Sequence, residues 1–230
     1  MSRYIAMLPA AGVGARMGGD IPKQYLDLAG RPMLWHGIAA FHRHPAIAAV
    51  HVVLSPEDEH WARFDWSGFD KLKTWRCGGA SRAASVLNGL DALTAEVDEK
   101  DWILVHDAAR PCIAGALIDR LIEALADDPV GGLLALPVVD TLKRESHDGR
   151  VLETVPRAGL WGAQTPQMFR HGILREALRR VGPEVTDEAS AIERLGLAPR
   201  LVMGDARNLK VTWPADREIA ACLLSRPGTA

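Results

Sequence analysis

Cysteine is scarce: Cys77, Cys112 and Cys222 are the only three in 230 residues, and none stands at zinc-ligand spacing from another Cys or a His. This argues against a disulfide-built scaffold and a structural zinc site, and predicts a reducing compartment. No run of about 18 apolar residues appears, so no ordinary transmembrane helix and no membrane partner are expected. The opening Met-Ser-Arg-Tyr leaves too little chain before Pro9 for the apolar core of a signal peptide. A cytoplasmic location is the expectation. An excess of one charge sign is missing as well: the formal net charge is -2, with no basic field of the kind nucleic acid binding requires. Any anion site must therefore be local. Internal repeats, low-complexity segments and linker-like shifts of composition are also lacking.

With 48% hydrophobic and 24% charged residues, the chain has the composition of a globular protein. Its length allows one large domain, and residues 1–230 read as a single unit. Short apolar runs alternate with amphipathic segments. Tyr4 to Leu8 and Val50 to Leu54 read as buried strands, as do "WILV" before His106-Asp107 and "GLLALPV". Helical spacing recurs in Leu34, Ile38 and Phe41 after Pro32, with His44-Pro45 closing that helix. It recurs again in Val86, Leu90 and Leu93, and in Ile118, Leu121, Ile122 and Leu125. The polar stretch Ser55 to Arg76 reads as a short helix and a loop leading to an edge strand, with Trp61, Trp66 and Trp75 as packing residues. The last third predicts helices at "HGILREALRRV" and "TDEASAIERLG", the second capped by Thr186 or Asp187. A strand pair at "RLVMGD" and "NLKVT" and a final helix opened by Pro214 follow. The pattern predicts an α/β fold, a mostly parallel twisted sheet sandwiched by helices, with ligands at the carboxyl ends of the strands.

Residues 138–157 break the alternation. Two charged segments flank Asp148-Gly149, which favours a type I′ turn, so a projecting β-hairpin arm is expected. An uncovered hairpin is marginal by itself, and a second copy of the chain is the simplest partner.

The loop "PAAGVGARMGGDIPKQY" does not satisfy the Walker A spacing. As a Rossmann fingerprint it lacks the small third residue, with Met17 in its place, and the later acid. Ala10, Ala11, Gly12 and Gly14 carry little or no side chain, so backbone amides can approach a nucleotide closely. Arg16 and Lys23 supply a fork and a point charge for phosphate oxygens. The same residues also make a tight strand-to-helix turn with two solvated cations. Taken alone, the loop fits both.

Read in order with "GGASRAASVLNGL", "VHDAARP", "PVVDTLKR", "RAGLWGAQTPQ", "TDEAS" and "NLKVT", the loop closely resembles the signature of the 2-C-methyl-D-erythritol 4-phosphate cytidylyltransferases. The resemblance runs from residue 7 to about residue 212. It implies a Rossmann-like nucleotidyltransferase fold and a magnesium-dependent reaction of CTP with a polyol phosphate, in which Mg2+ is held mainly by the CTP phosphates rather than by protein ligands. By the same resemblance, Arg16 and Lys23 match the pair that stabilises the transition state. Ala10, Ala11, Gly12 and Gly14, with Gly79, Arg82 and Ser85, match nucleotide-binding positions. Asp107 matches the acid that holds acceptor hydroxyls. Thr141, Arg157, Thr165 and Lys210 match groups around the acceptor phosphate, with Arg157 and Lys210 also positioning it for attack. The arm is similar to a homodimerisation arm that carries Thr141 and Arg157 into the partner's site. Ala80 departs from the family, which often has an acid there.

The implied chemistry suits these residues. A phosphomonoester has its second pKa near ~6, so the nucleophile is already ionised at neutral pH and needs no general base. The eight histidines are accordingly expected to be bland, with His106 at a strand end and the others at the surface. Two further readings share the residues: a cytidylyltransferase for another polyol phosphate such as ribitol 5-phosphate, and a non-catalytic nucleotide-binding dimer. The retained cations disfavour the second. Because the chain stops at Ala230, a form without a fused cyclase is expected.

Overall fold

The computed structural model describes residues 2–12, 21–182 and 185–225. Its centre is β1 (Tyr4–Pro9), flanked in parallel by β4 (Ile47–Val53) and β6 (Trp102–Val105). Every residue of β6 is buried, as a strand covered on both faces requires. Side chains of β1 alternate between two cores. Ala6 and Leu8 join Leu34, Ile38 and Phe41 of α1 (Met33–Arg43) and Leu117, Ile118 and Leu121 of α3 (Gly115–Leu125). Ile5 and Met7 face Val86 and Leu90 of α2 (Arg82–Ala92) and Leu174 and Leu178 of α4 (His171–Val181). Burying a side chain of this size is worth about 1.5–3 kcal/mol, so the two cores hold the sheet from both sides.

The full order is β11-β7-β10-β6-β1-β4-β5, with β5 at Leu72–Trp75, β7 at Gly131–Pro137, β10 at Trp161–Arg170 and β11 at Arg200–Met203. Only β10 runs against its neighbours. A small antiparallel pair, β2 (Asp27–Leu28) and β3 (Arg31–Pro32), precedes α1. The α/β sandwich is as expected, and so is β5 as an edge strand. Trp61 and Trp66 stack at 4.1 Å against one core, and α6 (Pro214–Leu224) opens with proline.

The hairpin forms a separate sheet of β8 (Leu142–Glu145) and β9 (Val151–Val155). Its turn corrects the type I′ expectation. Among the described non-glycine residues only Ala29 has a positive φ, so Asp148 cannot supply the left-handed residue that type I′ needs there. Instead, Gly149 N–H donates to Ser146 C=O, and Gly149 alone is left-handed at φ +77°. This is a three-residue loop with a glycine bulge.

A second correction concerns "NLKVT", which is not a strand: β11 is the sheet edge. The segment lies across the neighbouring loop, with Val211 N–H donating to Ala109 C=O at 2.8 Å. The histidines are the third correction. His44, His51 and His171 are buried rather than superficial, each inside the packing between elements, while His106 stands directly after β6 as expected and is buried there.

Candidate active site

The carboxyl ends of β1 and β6 and the loop after β5 open into one cleft of about 420 Å³. On its small-residue side, Ala10 N–H donates to Val53 C=O at 2.8 Å, and Ala10 C=O accepts from the buried Gln24 side chain at 2.7 Å. Those bonds pin the β1 loop. Gly12 is open: a methyl group there would meet nothing within 4 Å. Gly78 is the reverse. A Cβ on it would stand 2.2 Å from Ala11 Cβ and 2.8 Å from Leu54 C=O, so only glycine admits this approach of two loops. Gly79 N–H donates to Ser85 Oγ at 3.0 Å, and that hydroxyl donates to Ser81 C=O at 2.9 Å. Ser81 also caps α2, its Oγ accepting from Ala84 N–H.

The other side is charged. Lys210 Nζ lies 2.7 Å from Asp107 Oδ2, and Arg82 Nε lies 2.9 Å from Asp107 Oδ1. Arg82 turns its two terminal nitrogens to Glu188, at 2.6 and 3.1 Å. Burial of Asp107 alone would raise its pKa. The charges of Arg82 and Lys210 and the hydrogen bond from Lys210 outweigh that and hold the carboxyl well below the usual range. For Arg82, burial favours loss of the proton, but Glu188 and Asp107 prevail and push its pKa up. Both shifts favour the charged forms of Asp107 and Arg82.

Behind Asp107 runs a directional chain of hydrogen bonds. Asp107 N–H donates to Thr165 Oγ1 at 3.0 Å. The Arg110 carbonyl can only accept, so His106 Nε2, 3.0 Å from it, carries the ring proton, and in the neutral ring Nδ1 accepts from Thr165 Oγ1 at 3.1 Å. Burial pushes His106 down to about 4, keeping the ring neutral. The Arg110 guanidinium donates to Asn208 C=O at 2.6 Å, and Asn208 donates to Thr165 C=O at 2.8 Å. The loops bearing Asp107 and Lys210 are thus tied to the same buried group.

Ala10, Ala11, Gly12, Lys23, Gly79, Arg82, Ser85, Asp107 and Lys210, expected together from sequence, all line the cleft. Thr165 stands behind it, holding Asp107 in place. Thr141 and Arg157 are exposed at the root of the arm and do not line the cleft within one chain. Gly14 and Arg16 lie outside the described residues. Glu188, Gln24 and Asn208 were not anticipated. For Glu188 a signal was present: it shares a helical face with Ala191 and Ile192 in α5 (Glu188–Glu193), an acid on an otherwise apolar stripe. The N-cap of α5 is Asp187, whose carboxylate accepts from Ser190 N–H.

The family described as 2-C-methyl-D-erythritol 4-phosphate cytidylyltransferase matches residues 4–226. A relative of that name from Thiobacillus denitrificans is 55% identical over 229 residues, covering 97% of this chain and 98% of its own. Another from Laribacter hongkongensis is 59% identical over 225 residues, with 97% of each chain covered. Among solved structures, a 4-diphosphocytidyl-2C-methyl-D-erythritol synthase superposes with a TM-score of 0.87 at 44% identity, covering 97% of this chain and 99% of the other. The Francisella tularensis 2-C-methyl-D-erythritol 4-phosphate cytidylyltransferase superposes at 0.83 with 34% identity, covering 96% and 100%. On sequence and fold alike, this chain belongs to the 2-C-methyl-D-erythritol 4-phosphate cytidylyltransferase family.

Proposed function

We propose that this chain transfers the cytidylyl group of CTP to 2-C-methyl-D-erythritol 4-phosphate, giving 4-diphosphocytidyl-2-C-methyl-D-erythritol and pyrophosphate. The observation that carries the reading is that one cleft joins an open small-residue wall to Lys23, Asp107 and Lys210. A nucleotide fits the first part, and an anionic polyol the second. Ala10 has both backbone groups engaged and Gly79 bonds the Ser85 hydroxyl, so hydrogen bonding to the cytosine edge falls to Ala11 and Gly12, with Gly79 a close wall that Ser85 holds.

An oxygen of the acceptor phosphate attacks the α-phosphorus of CTP in line, the bond to the β-phosphate breaks, and pyrophosphate leaves. The nucleophile is ionised near neutral pH, so the residues supply position and counter-charge rather than a base. Lys23 lines the cleft where the triphosphate would lie and where charge builds on the pentacoordinate phosphorus, and the family signature gives Arg16 the same role. Arg82 orders the nucleotide side and Asp107 takes acceptor hydroxyls. Lys210, with Thr165 behind it, sets the acceptor phosphate. CTP enters as its magnesium complex. Both Asp107 oxygens are engaged by Arg82 and Lys210, which suits a cation held by triphosphate oxygens and water.

Residues 1–230 act in this reading as one domain whose 138–157 arm pairs two copies in the cytoplasm. Val139, Val151 and Leu152 are exposed on the arm, an apolar surface that a second protomer would cover. Arg157 and Thr141 of the partner subunit then complete the acceptor side. The test is CTP-dependent pyrophosphate release with methylerythritol 4-phosphate, ribitol 5-phosphate and no acceptor, with ATP replacing CTP as control. Release specific to CTP and methylerythritol 4-phosphate is expected. Equal turnover with ribitol 5-phosphate or ATP would overturn the substrate assignment, and a monomer by light scattering would overturn the dimer.

A further inference from the structure

We infer that Glu188 is a positioning residue that keeps Asp107 open to the acceptor by restraining Arg82; the inference rests on the activity proposed above. A guanidinium has two edges that can grip a carboxylate with paired N–H groups, one formed by Nε and Nη2 and the other by Nη1 and Nη2. Glu188 occupies the second, accepting from Nη1 at 2.6 Å and Nη2 at 3.1 Å. Nη2 carries one N–H on each edge, so Glu188 does not use up the proton on the Nε side; gripping the other edge, it fixes the plane of the guanidinium. In that orientation Arg82 gives Asp107 a single bond, Nε to Oδ1, and Oδ2 is left to Lys210.

Without the Glu188 charge, the guanidinium plane is free to turn its Nε/Nη2 edge to Asp107, the remaining anion beside it. Arg82 then grips both Asp107 oxygens, displacing Lys210 and closing the carboxylate to acceptor hydroxyls. Glu188 is built for restraint. Its side chain is 1% exposed, and it begins a helix fixed to β10 by Ala189 N–H donating to Gln167 Oε1 at 2.8 Å and by Gln167 Nε2 donating to Asp187 at 2.9 Å. A buried ion pair is weak evidence of stabilisation in itself. Here the restrained cation lines the cleft, beside the acid that the acceptor needs.

Steady-state kinetics of the full chain test this. Glu188→Gln keeps the shape and removes the charge. It should raise the acceptor KM about tenfold, the scale of a lost bond to a charged group, with kcat within about threefold and the CTP KM, which the displaced Arg82 also touches, rising clearly less than the acceptor KM. In an Arg82→Lys background, where the cation has no fork, the same substitution should change the acceptor KM less than about twofold. An ion pair that serves only folding would lower the active fraction without this split and without dependence on the residue at 82. Equal effects in both backgrounds, or a CTP KM that moves as much as the acceptor KM, would overturn the inference while leaving the activity of the native chain intact. If Glu188→Gln does not fold, Glu188→Asp, which keeps the charge at shorter reach, must show the same split, and failure of both to fold also overturns it. A native chain without activity overturns the activity reading and this inference together.

Discussion

Lys210 and Asp107 meet at 2.7 Å across the cleft, although they lie on different loops with most of the sheet's second half between them in sequence. The contact makes Asp107 the shared anion of two cations. Its pKa, held below the usual carboxylate range by Arg82 and Lys210 against the effect of burial, keeps it charged at any pH at which the enzyme works. Asp107→Asn removes the charge from a buried pair, a change that costs about 2 kcal/mol or more, so kcat/KM for the acceptor should fall at least about thirtyfold. The acid limb of that parameter should follow the acceptor phosphate near ~6 and not a carboxylate. Measuring the pH profile of both proteins decides it. A limb that moves with the Asn substitution would assign the titration to Asp107.

Lys23 sits in the short helical turn Lys23–Tyr25, whose neighbours anchor it: Gln24 donates to Ala10 C=O and Tyr25 donates to Asp58 at 2.7 Å. A cation fixed in this way needs no reorganisation as charge develops on the phosphorus. Losing such a preorganised donor costs about 10²–10³ in kcat, and Lys23→Ala should lose at least that, with the CTP KM changing much less. Single-turnover rates at saturating CTP measure it directly. Activity within threefold of native would remove Lys23 from the mechanism.

The layered α/β architecture was legible because helix and strand periods are local. Leu34, Ile38 and Phe41 share a helical face whatever lies opposite, and all three are fully buried. Site residues inside ordered blocks, such as Ala11, Asp107 and Lys210, were legible through the family resemblance. What stayed hidden depends on distance through space. Arg82 and Glu188 are 106 positions apart, and no local period relates them. "NLKVT" alternates like a strand, yet no free sheet edge reaches it, and Arg110 and Asn208 hold it instead. The buried histidines were missed for a related reason: what admits each ring to the interior is a bond to a group on another element, such as Trp75 for His51, Thr165 for His106 and the Leu90 carbonyl for His171.

Two of those histidines give stability a pH dependence. Burial pushes both His51 and His106 down to about 4, while in the unfolded chain they titrate near ~6.5. Between these values the unfolded state binds more protons, so stability rises with pH through the window and is complete above it. Lowering the pH from 7 to 5 should cost up to about 2 kcal/mol for each group. Urea midpoints at the two pH values test this, with His51→Asn as the comparison. His51 accepts from Trp75 Nε1–H at 2.9 Å, which Asn can replace through its carbonyl, so the variant should lose less stability on acidification than the native chain. An identical loss in both proteins would clear His51 of the effect.

Gly78 offers the sharpest test of the nucleotide side. It carries no charge and no side-chain polar group, so its substitution acts through shape alone. A methyl group at Gly78 would stand 2.2 Å from Ala11 Cβ and 2.8 Å from the Leu54 carbonyl oxygen. Leu54 is a fully buried core residue and its carbonyl already accepts from Gly78 N–H at 2.8 Å, so the strain falls on the Ala11 loop. Overpacking of this kind costs about 1–3 kcal/mol, and displacing Ala11 moves a wall of the cleft. Gly78→Ala should therefore raise the CTP KM about tenfold or more. Gly68→Ala is the matched control: nothing lies within 4 Å of a Cβ there, and its kinetics should equal those of the native chain. A CTP KM for Gly78→Ala within twofold of native would mean that the close approach of the two loops shapes the fold but not the nucleotide site.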